Sequence, residues 1–153
     1  MDEKYTYANS NKFDPINKIC VVTGGSSGIG EALVKELQLR KAKKIINIDI
    51  KNNKKIDIDF LKCDVGNSFE VKQTINKIYK KYKKIDLFCS NAGIAVDDDG
   101  LASDKHWDHI LKVNLLQHTN IVRNCISEML KNKSGWFLIT ASAAGLLSQV
   151  GSA

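Results

Sequence analysis

Short apolar runs alternate along this chain with longer segments in which apolar residues recur every three or four positions. Ile19–Thr23 is a run rich in β-branched side chains, and comparable runs stand at 45–50, 58–63, 85–90 and 135–141. Between them the period becomes helical. Residues 28–40 place Ile29, Ala32, Leu33 and Leu37 on one face. A second helix, capped by Asn67 or Ser68 and running to Tyr82, carries Val71, Ile75, Ile78, Tyr79 and Tyr82. A long third helix opens at Ser103 or Asp104 and reaches Lys131, with Trp107, Ile110, Leu111, Leu115, Val122, Ile126 and Met129 at helical spacing. The strand runs are nearly continuous rather than alternating, as in parallel strands covered on both faces. Strands joined by helices predict right-handed crossovers and a doubly wound α/β sheet of Rossmann type. The expected order is 3-2-1-4-5, with a ligand site at the C-terminal edge, near the switch between strands 1 and 4. Residues 1–17 read as a polar N-terminal extension, and 18–153 as one domain without internal repeats.

Composition adds mainly exclusions. A chain of 153 residues, 43% hydrophobic and 26% charged, is an ordinary globular sequence with room for one core. No apolar run is long enough to span a bilayer, and the N-terminus lacks the apolar stretch of a secretory signal, so no membrane partner is expected and the protein is read as cytoplasmic. The net charge of +6 raises the question of nucleic acid. Of 23 basic residues only Arg40 and Arg123 are arginine, the residue suited to bidentate phosphate and base contacts. The lysines gather at predicted helix ends, as in 41–44 and 80–84, where they suit the helix dipole. Nucleic acid is therefore not an expected partner. Cys20, Cys63, Cys89 and Cys125 show no metal-ligand spacing and read as buried thiols. His106, His109 and His118 read as surface or packing residues, and no metal is expected.

The chemistry begins at Thr23-Gly24-Gly25-Ser26-Ser27-Gly28-Ile29-Gly30. This glycine segment follows a strand and opens a helix. Gly24 permits a sharp turn, while Gly28 and Gly30 permit close approach of a pyrophosphate and of helix to sheet. The helix N-terminus then offers N–H groups to phosphates, with Ser26, Ser27 and Ile29 in the same turn. A triphosphate-binding loop is excluded, because Glu31 follows the Gly25–x4–Gly30 spacing where that loop needs a lysine. Asp49 ends the second strand, 19 residues after Gly30. A carboxylate there accepts hydrogen bonds from the ribose hydroxyls of an adenosine and repels a 2′-phosphate. That favours NAD over NADP, with Lys51 close enough to keep NADP open.

Taken together, Thr23–Gly30 as TGxxxGxG, Asn91-Ala92-Gly93, Asn114 and Ser142-Ala143-Ala144-Gly145 resemble the short-chain dehydrogenase/reductase family over about residues 17–153. The resemblance implies a hydride transfer between a nicotinamide and a hydroxyl or carbonyl substrate. It implies that Asp64 and Val65 contact the adenine, that Asn91, Ala92 and Gly93 steady the sheet beside the cofactor's ribose, and that Asn114 distorts its helix and holds a relay water. Ser142 would hydrogen-bond the substrate oxygen. A methyltransferase using S-adenosylmethionine shares the glycine turn and the acid, but gives no account of Asn91–Gly93, Asn114 and Ser142 together. In the family a tyrosine follows the serine by about thirteen positions, in a YxxxK motif, which from Ser142 falls just past Ala153. The chain is thus expected to be C-terminally truncated before that pair. Tyr79 and Tyr82, among the packing residues of an early helix and expected to have no YxxxK partner, are not read as that tyrosine. A non-catalytic dinucleotide-binding module or inactive fragment is the alternative. The full-length form is expected to be a homodimer or homotetramer through the helix at 104–131, and the substrate is not legible beyond its class.

Overall fold

Five parallel strands form one sheet in a computed structural model that describes residues 13–95 and 103–143. The strands are β1 (Ile19–Thr23), β2 (Lys44–Asp49), β3 (Asp59–Lys62), β4 (Leu87–Ser90) and β5 (Trp136–Ile139), in the order β3-β2-β1-β4-β5. The register sets Cys20 opposite Ile45 and Leu87, and Ser90 opposite Ile139. Helix α1 (Gly28–Leu39) links β1 to β2, and α2 (Ser68–Tyr82) links β3 to β4. Between β4 and β5 stand α3 (Asp104–Leu111), a π-helical turn at Lys112–Leu116, and α4 (Gln117–Lys131). Asn67 is the cap of α2, its side chain accepting from the Phe69 and Glu70 amides. Ser103 caps α3. Asp97-Asp98-Asp99-Gly100, a polar stretch in the sequence, and Ala144 and Gly145 of the serine motif lie outside the described residues.

The alternation of side chains along each strand divides the core into two layers. Val21, Ile46, Ile48 and Phe88 pack with α2 and α4 through Val71, Ile75, Ile78, Ile121, Cys125 and Met129. Cys20, Val22, Ile45, Leu87 and Cys89 face α1 through Val34 and Leu37. All four cysteines are free and buried, and burial pushes the thiols of Cys20, Cys89 and Cys125 up to about 12.

Two helix faces differ from the expectation. On α1 the buried residues are Gly30, Val34 and Leu37, while Ile29 and Ala32 are exposed. Gly30 packs directly against the Gly24 carbonyl, so the face that carries it is the one turned inward. On α4 the inward stripe is Gln117, Ile121, Cys125 and Met129, continued back to Val113. Trp107, Leu111, Leu115 and Leu130 are exposed. Residues two apart lie about 200° around a helix, so Leu115 faces out while Val113 and Gln117 face in. Lysines stand in the left-handed region just past α1, α2 and α4, at Lys41, Lys83 and Lys133, where glycine is the usual residue.

Candidate functional site

At the C-terminal edge of the sheet an open cleft of about 990 Å³ lies between the glycine turn, the loop after β2 and the segment after β4. Gly24 (φ +70°) and Gly28 (φ +53°) adopt backbone that a side chain disfavours. A Cβ on Gly30 would lie 2.1 Å from the Gly24 carbonyl oxygen, and one on Gly24 would lie 2.9 Å from the Cα of Ala92. At Gly28, by contrast, a Cβ would meet nothing within 4 Å. Ser27 occupies the N-cap position of α1 without a side-chain capping bond. The first turn of α1 thus presents its N–H groups, and the positive end of its dipole, to open space lined by Ser26, Ser27, Gly28 and Ile29.

Buried and half-buried amides shape the next wall. The Gly25 amide donates to Asn47 Oδ1 (2.9 Å), and Asn47 Nδ2 donates to Ser26 Oγ (2.9 Å). Asp49 accepts from the amides of Ser26 (3.1 Å) and Lys51 (3.2 Å). Asp49, Lys51, Lys54 and Lys55 all line the cleft. Asn53 Nδ2 donates to the Ser26 carbonyl (3.1 Å), which folds the loop after β2 onto the glycine turn. Asp64 and Val65 line the cleft below β3, and Asp64 Oδ1 turns the chain by accepting from the Gly66 amide (2.8 Å). Asn47 and Asn53 were not marked by the sequence reading. Asn47 had a signal, a lone amide inside the apolar run 45–50.

The turn after β4 is gripped from several sides. Thr23 Oγ1 accepts from the amides of Asn91 (2.9 Å) and Ala92 (3.0 Å). Asn91 Nδ2 donates to the Thr23 carbonyl (3.2 Å), and Thr140 Oγ1 donates to Asn91 Oδ1 (2.9 Å). Asn91, Ala92 and Gly93 line the cleft. Asn114 sits within the π turn, and its side chain exchanges two hydrogen bonds of 2.8 Å with the backbone of Ile94. Gln117 is fully buried and donates to the carbonyls of Ala92 and Val113. His118 Nδ1 lies 2.6 Å from Ser90 Oγ. Burial holds its imidazole below the ordinary value, against a hydrogen bond to the Asn114 carbonyl that acts the other way. Ser142 is exposed, three residues past the end of β5, at the corner where Thr140 enters the cleft wall.

Contrary to the expectation that Tyr79 has no YxxxK partner, Lys83 stands at that spacing from it. They do not belong to the site. The Tyr79 hydroxyl donates to the Cys125 carbonyl (3.3 Å), between α2 and α4, and burial pushes its pKa up. Glu31 pairs with Lys35, out of the position a phosphate-binding lysine would take. Among the described residues no cluster of His, Cys, Asp or Glu is placed to hold a metal ion, and no helix is long and apolar enough to cross a membrane.

Comparison with known proteins agrees with this geometry. The family model for short chain dehydrogenase matches residues 18–153. The 3-oxoacyl-[acyl-carrier-protein] reductase FabG of Buchnera aphidicola is 32% identical over 148 residues, covering 88% of this chain and 58% of that protein. A mitochondrial borneol dehydrogenase of Lavandula x intermedia is 30% identical over 136 residues, covering 83% and 52%. Among solved structures, the ligand-free aldohexose dehydrogenase of Thermoplasma acidophilum superposes with a TM-score of 0.83 at 27% identity, over 91% of this chain and 55% of that one. The chain spans a little over half the length of these relatives. It belongs to the short-chain dehydrogenase family.

Proposed function

We propose that this member of the short-chain dehydrogenase family binds a nicotinamide dinucleotide, NAD in preference to NADP, and serves hydride transfer between it and an alcohol or carbonyl substrate. The observation that carries the reading is the cradle at Gly28, where a helix N-terminus without a side-chain cap faces the cleft and a Cβ would meet no protein atom within 4 Å. A pyrophosphate fits there through the amides and the dipole. Asp49 is set to receive the adenosine ribose hydroxyls, and Asp64 with Val65 the adenine. Asn91, Ala92 and Gly93 bound the far side. When bound, the nicotinamide supplies the hydride donor or acceptor.

The chain's own contribution is binding and orientation. Ser142 would donate a hydrogen bond to the substrate oxygen and steady charge there. Asn114 would hold a relay water. Proton transfer at that oxygen is assigned to a tyrosine and lysine of the family's YxxxK type. A second reading is a dinucleotide-binding module without turnover; Tyr79, bonded between α2 and α4, is not placed to serve proton transfer at the cleft. The exposed stripe of Trp107, Leu111, Leu115 and Leu130 supports helix pairing between two copies. Four reduced, buried thiols suit a cytoplasmic protein.

The test is an NADH fluorescence titration of the chain beside Asp49→Ala. Saturable binding is expected, weakened roughly tenfold to a hundredfold by loss of hydrogen bonds to a charged acceptor. The same substitution should narrow the gap between NADH and NADPH. A folded sample that binds neither nucleotide overturns the reading.

A further inference from the structure

Gln117 is a long polar side chain with no exposed surface, on the buried stripe of α4. Its amide is committed on three sides. The Nε2 group donates to the carbonyls of Ala92 and Val113. Carbonyls only accept, so the amide is fixed with Oε1 turned toward Thr23 Oγ1, at a long 3.4 Å. That hydroxyl already accepts from the Asn91 and Ala92 amides. Both its lone pairs are used, and its single proton is directed to Gln117. One side chain thereby joins the end of β1, the turn after β4 and the π turn.

The π turn itself depends on side chains four residues on. In an α-helix the Val113 carbonyl would accept the Gln117 N–H. Here that N–H reaches the Lys112 carbonyl, and Val113 receives the Gln117 side-chain amide instead. The Asn114 carbonyl is likewise met by the His118 ring. The extra residue in the turn orients Asn114 so that its amide pairs with both backbone groups of Ile94.

We propose that Gln117 is a positioning residue: it holds the π turn in place, sets Asn114 against Ile94, and couples that corner of the cleft to the glycine turn through Thr23. The binding arm of its test rests on the dinucleotide reading above; the exchange arm does not.

The experiment is amide hydrogen exchange and nucleotide titration of the chain carrying Gln117→Met, which keeps length and flexibility but loses both donors. Exchange at the Ile94 amide should accelerate about tenfold or more, the loss of roughly one to two hydrogen bonds, while core amides of Val21 and Ile46 keep their protection. The affinity ratio of NADH to ADP-ribose should fall about tenfold, because ADP-ribose uses the glycine turn and Asp49 but lacks the nicotinamide. Gln117→Glu keeps the shape but offers at most one O–H in place of the two N–H donors, so it can meet only one of the two carbonyls and should leave exchange at Ile94 faster than in the unmodified chain. Unchanged exchange at Ile94 overturns the proposal, as does equal acceleration at Ile94, Val21 and Ile46, or recovery in Gln117→Glu. Failure of the unmodified chain to bind NADH would remove the dinucleotide reading and leave the exchange result to decide. Where Gln117→Met does not fold, Gln117→Asn withdraws the amide by one methylene and is read in the same way.

Discussion

Gly30→Ala and Gly28→Ala add the same methyl group two residues apart in one turn, and the structure predicts different outcomes. At Gly30 the new Cβ would stand 2.1 Å from the Gly24 oxygen, 2.6 Å from the Gly24 carbonyl carbon and 2.8 Å from Asn91 Nδ2. Two of these atoms are backbone of a turn pinned by the Gly24 amide on the Ile48 carbonyl (2.9 Å), so nothing flexible can give way. Overpacking of this kind costs about 3 kcal/mol, the upper end of its usual range, and alanine's helix propensity offsets about 1 kcal/mol. A net loss of about 2 kcal/mol lowers Tm by roughly 4–8 °C in a domain of this size. At Gly28 the Cβ enters open space, and the cost is the φ of +53° alone, about 1 kcal/mol. That space is where the pyrophosphate is proposed to sit. Gly28→Ala should therefore weaken NADH binding by far more than it weakens the fold, whereas Gly30→Ala should damage both. Circular-dichroism melts and NADH titrations on the two variants read the contrast. Equal Tm values for Gly30→Ala and the unmodified chain would refute the packing argument; undiminished NADH binding by Gly28→Ala would refute the placement of the phosphates.

Asn47→Val removes the acceptor of the buried Gly25 amide and should cost about 1–3 kcal/mol in urea unfolding, with weaker NADH binding as Ser26 loses its support. Because burial lowers the pKa of the His118 imidazole, the unfolded chain takes up a proton there more readily; stability is full above the unfolded value and falls as pH drops below it. Urea midpoints taken between roughly pH 7.5 and 5.5 should show a fall that is smaller in His118→Gln. Lys83→Gly relieves a left-handed lysine at the end of α2 and should raise stability by about 0.5–1 kcal/mol, net of glycine's chain entropy. If the exposed stripe on α3 and α4 pairs two copies, Leu111→Glu should yield monomers in sedimentation without altering the melt.

The parts of this fold that were legible in the sequence are those with local causes. Continuous apolar runs gave five strands, and each observed strand falls within one or two residues of its run because fraying ends carry no periodic signal. The glycine turn is legible because φ above zero and a 2.1 Å approach leave few alternatives to glycine. The resemblance implied a distortion at Asn114, and the π turn at Lys112–Leu116 is where the helix departs from its repeat. The inward stripe of α4 was hidden by its composition: Gln117 and Cys125 hold inward positions while Leu111, Leu115 and Leu130 hold outward ones, so hydrophobicity alone marks the wrong face. Asn47, Thr140 and Gln117 were missed for a common reason. Their partners lie 22, 49 and 25 residues away, so only the sheet order makes them neighbours.

The distribution of buried polar residues explains how a small sheet can hold a defined cleft. Thr23, Asn47, Ser90 and Gln117 are all buried, and all stand at or above the C-terminal ends of β1, β2 and β4. Thr23, Asn47 and Gln117 spend their hydrogen bonds on the backbone or side chains of loops that bound the cleft. Asp86, at the opposite end, accepts from the Ile19 amide (2.8 Å) and from Lys84 (2.9 Å), and so fixes where β1 begins. Among the described residues no buried side-chain nitrogen or oxygen lacks a partner. A buried polar group in that state adds little net stability, but removing its partner costs the full desolvation penalty. The loops are therefore held less by attraction than by the cost of every alternative. The strand bodies, apolar on both faces, supply the stability that tolerates this arrangement, and the cleft inherits its shape from the strand ends.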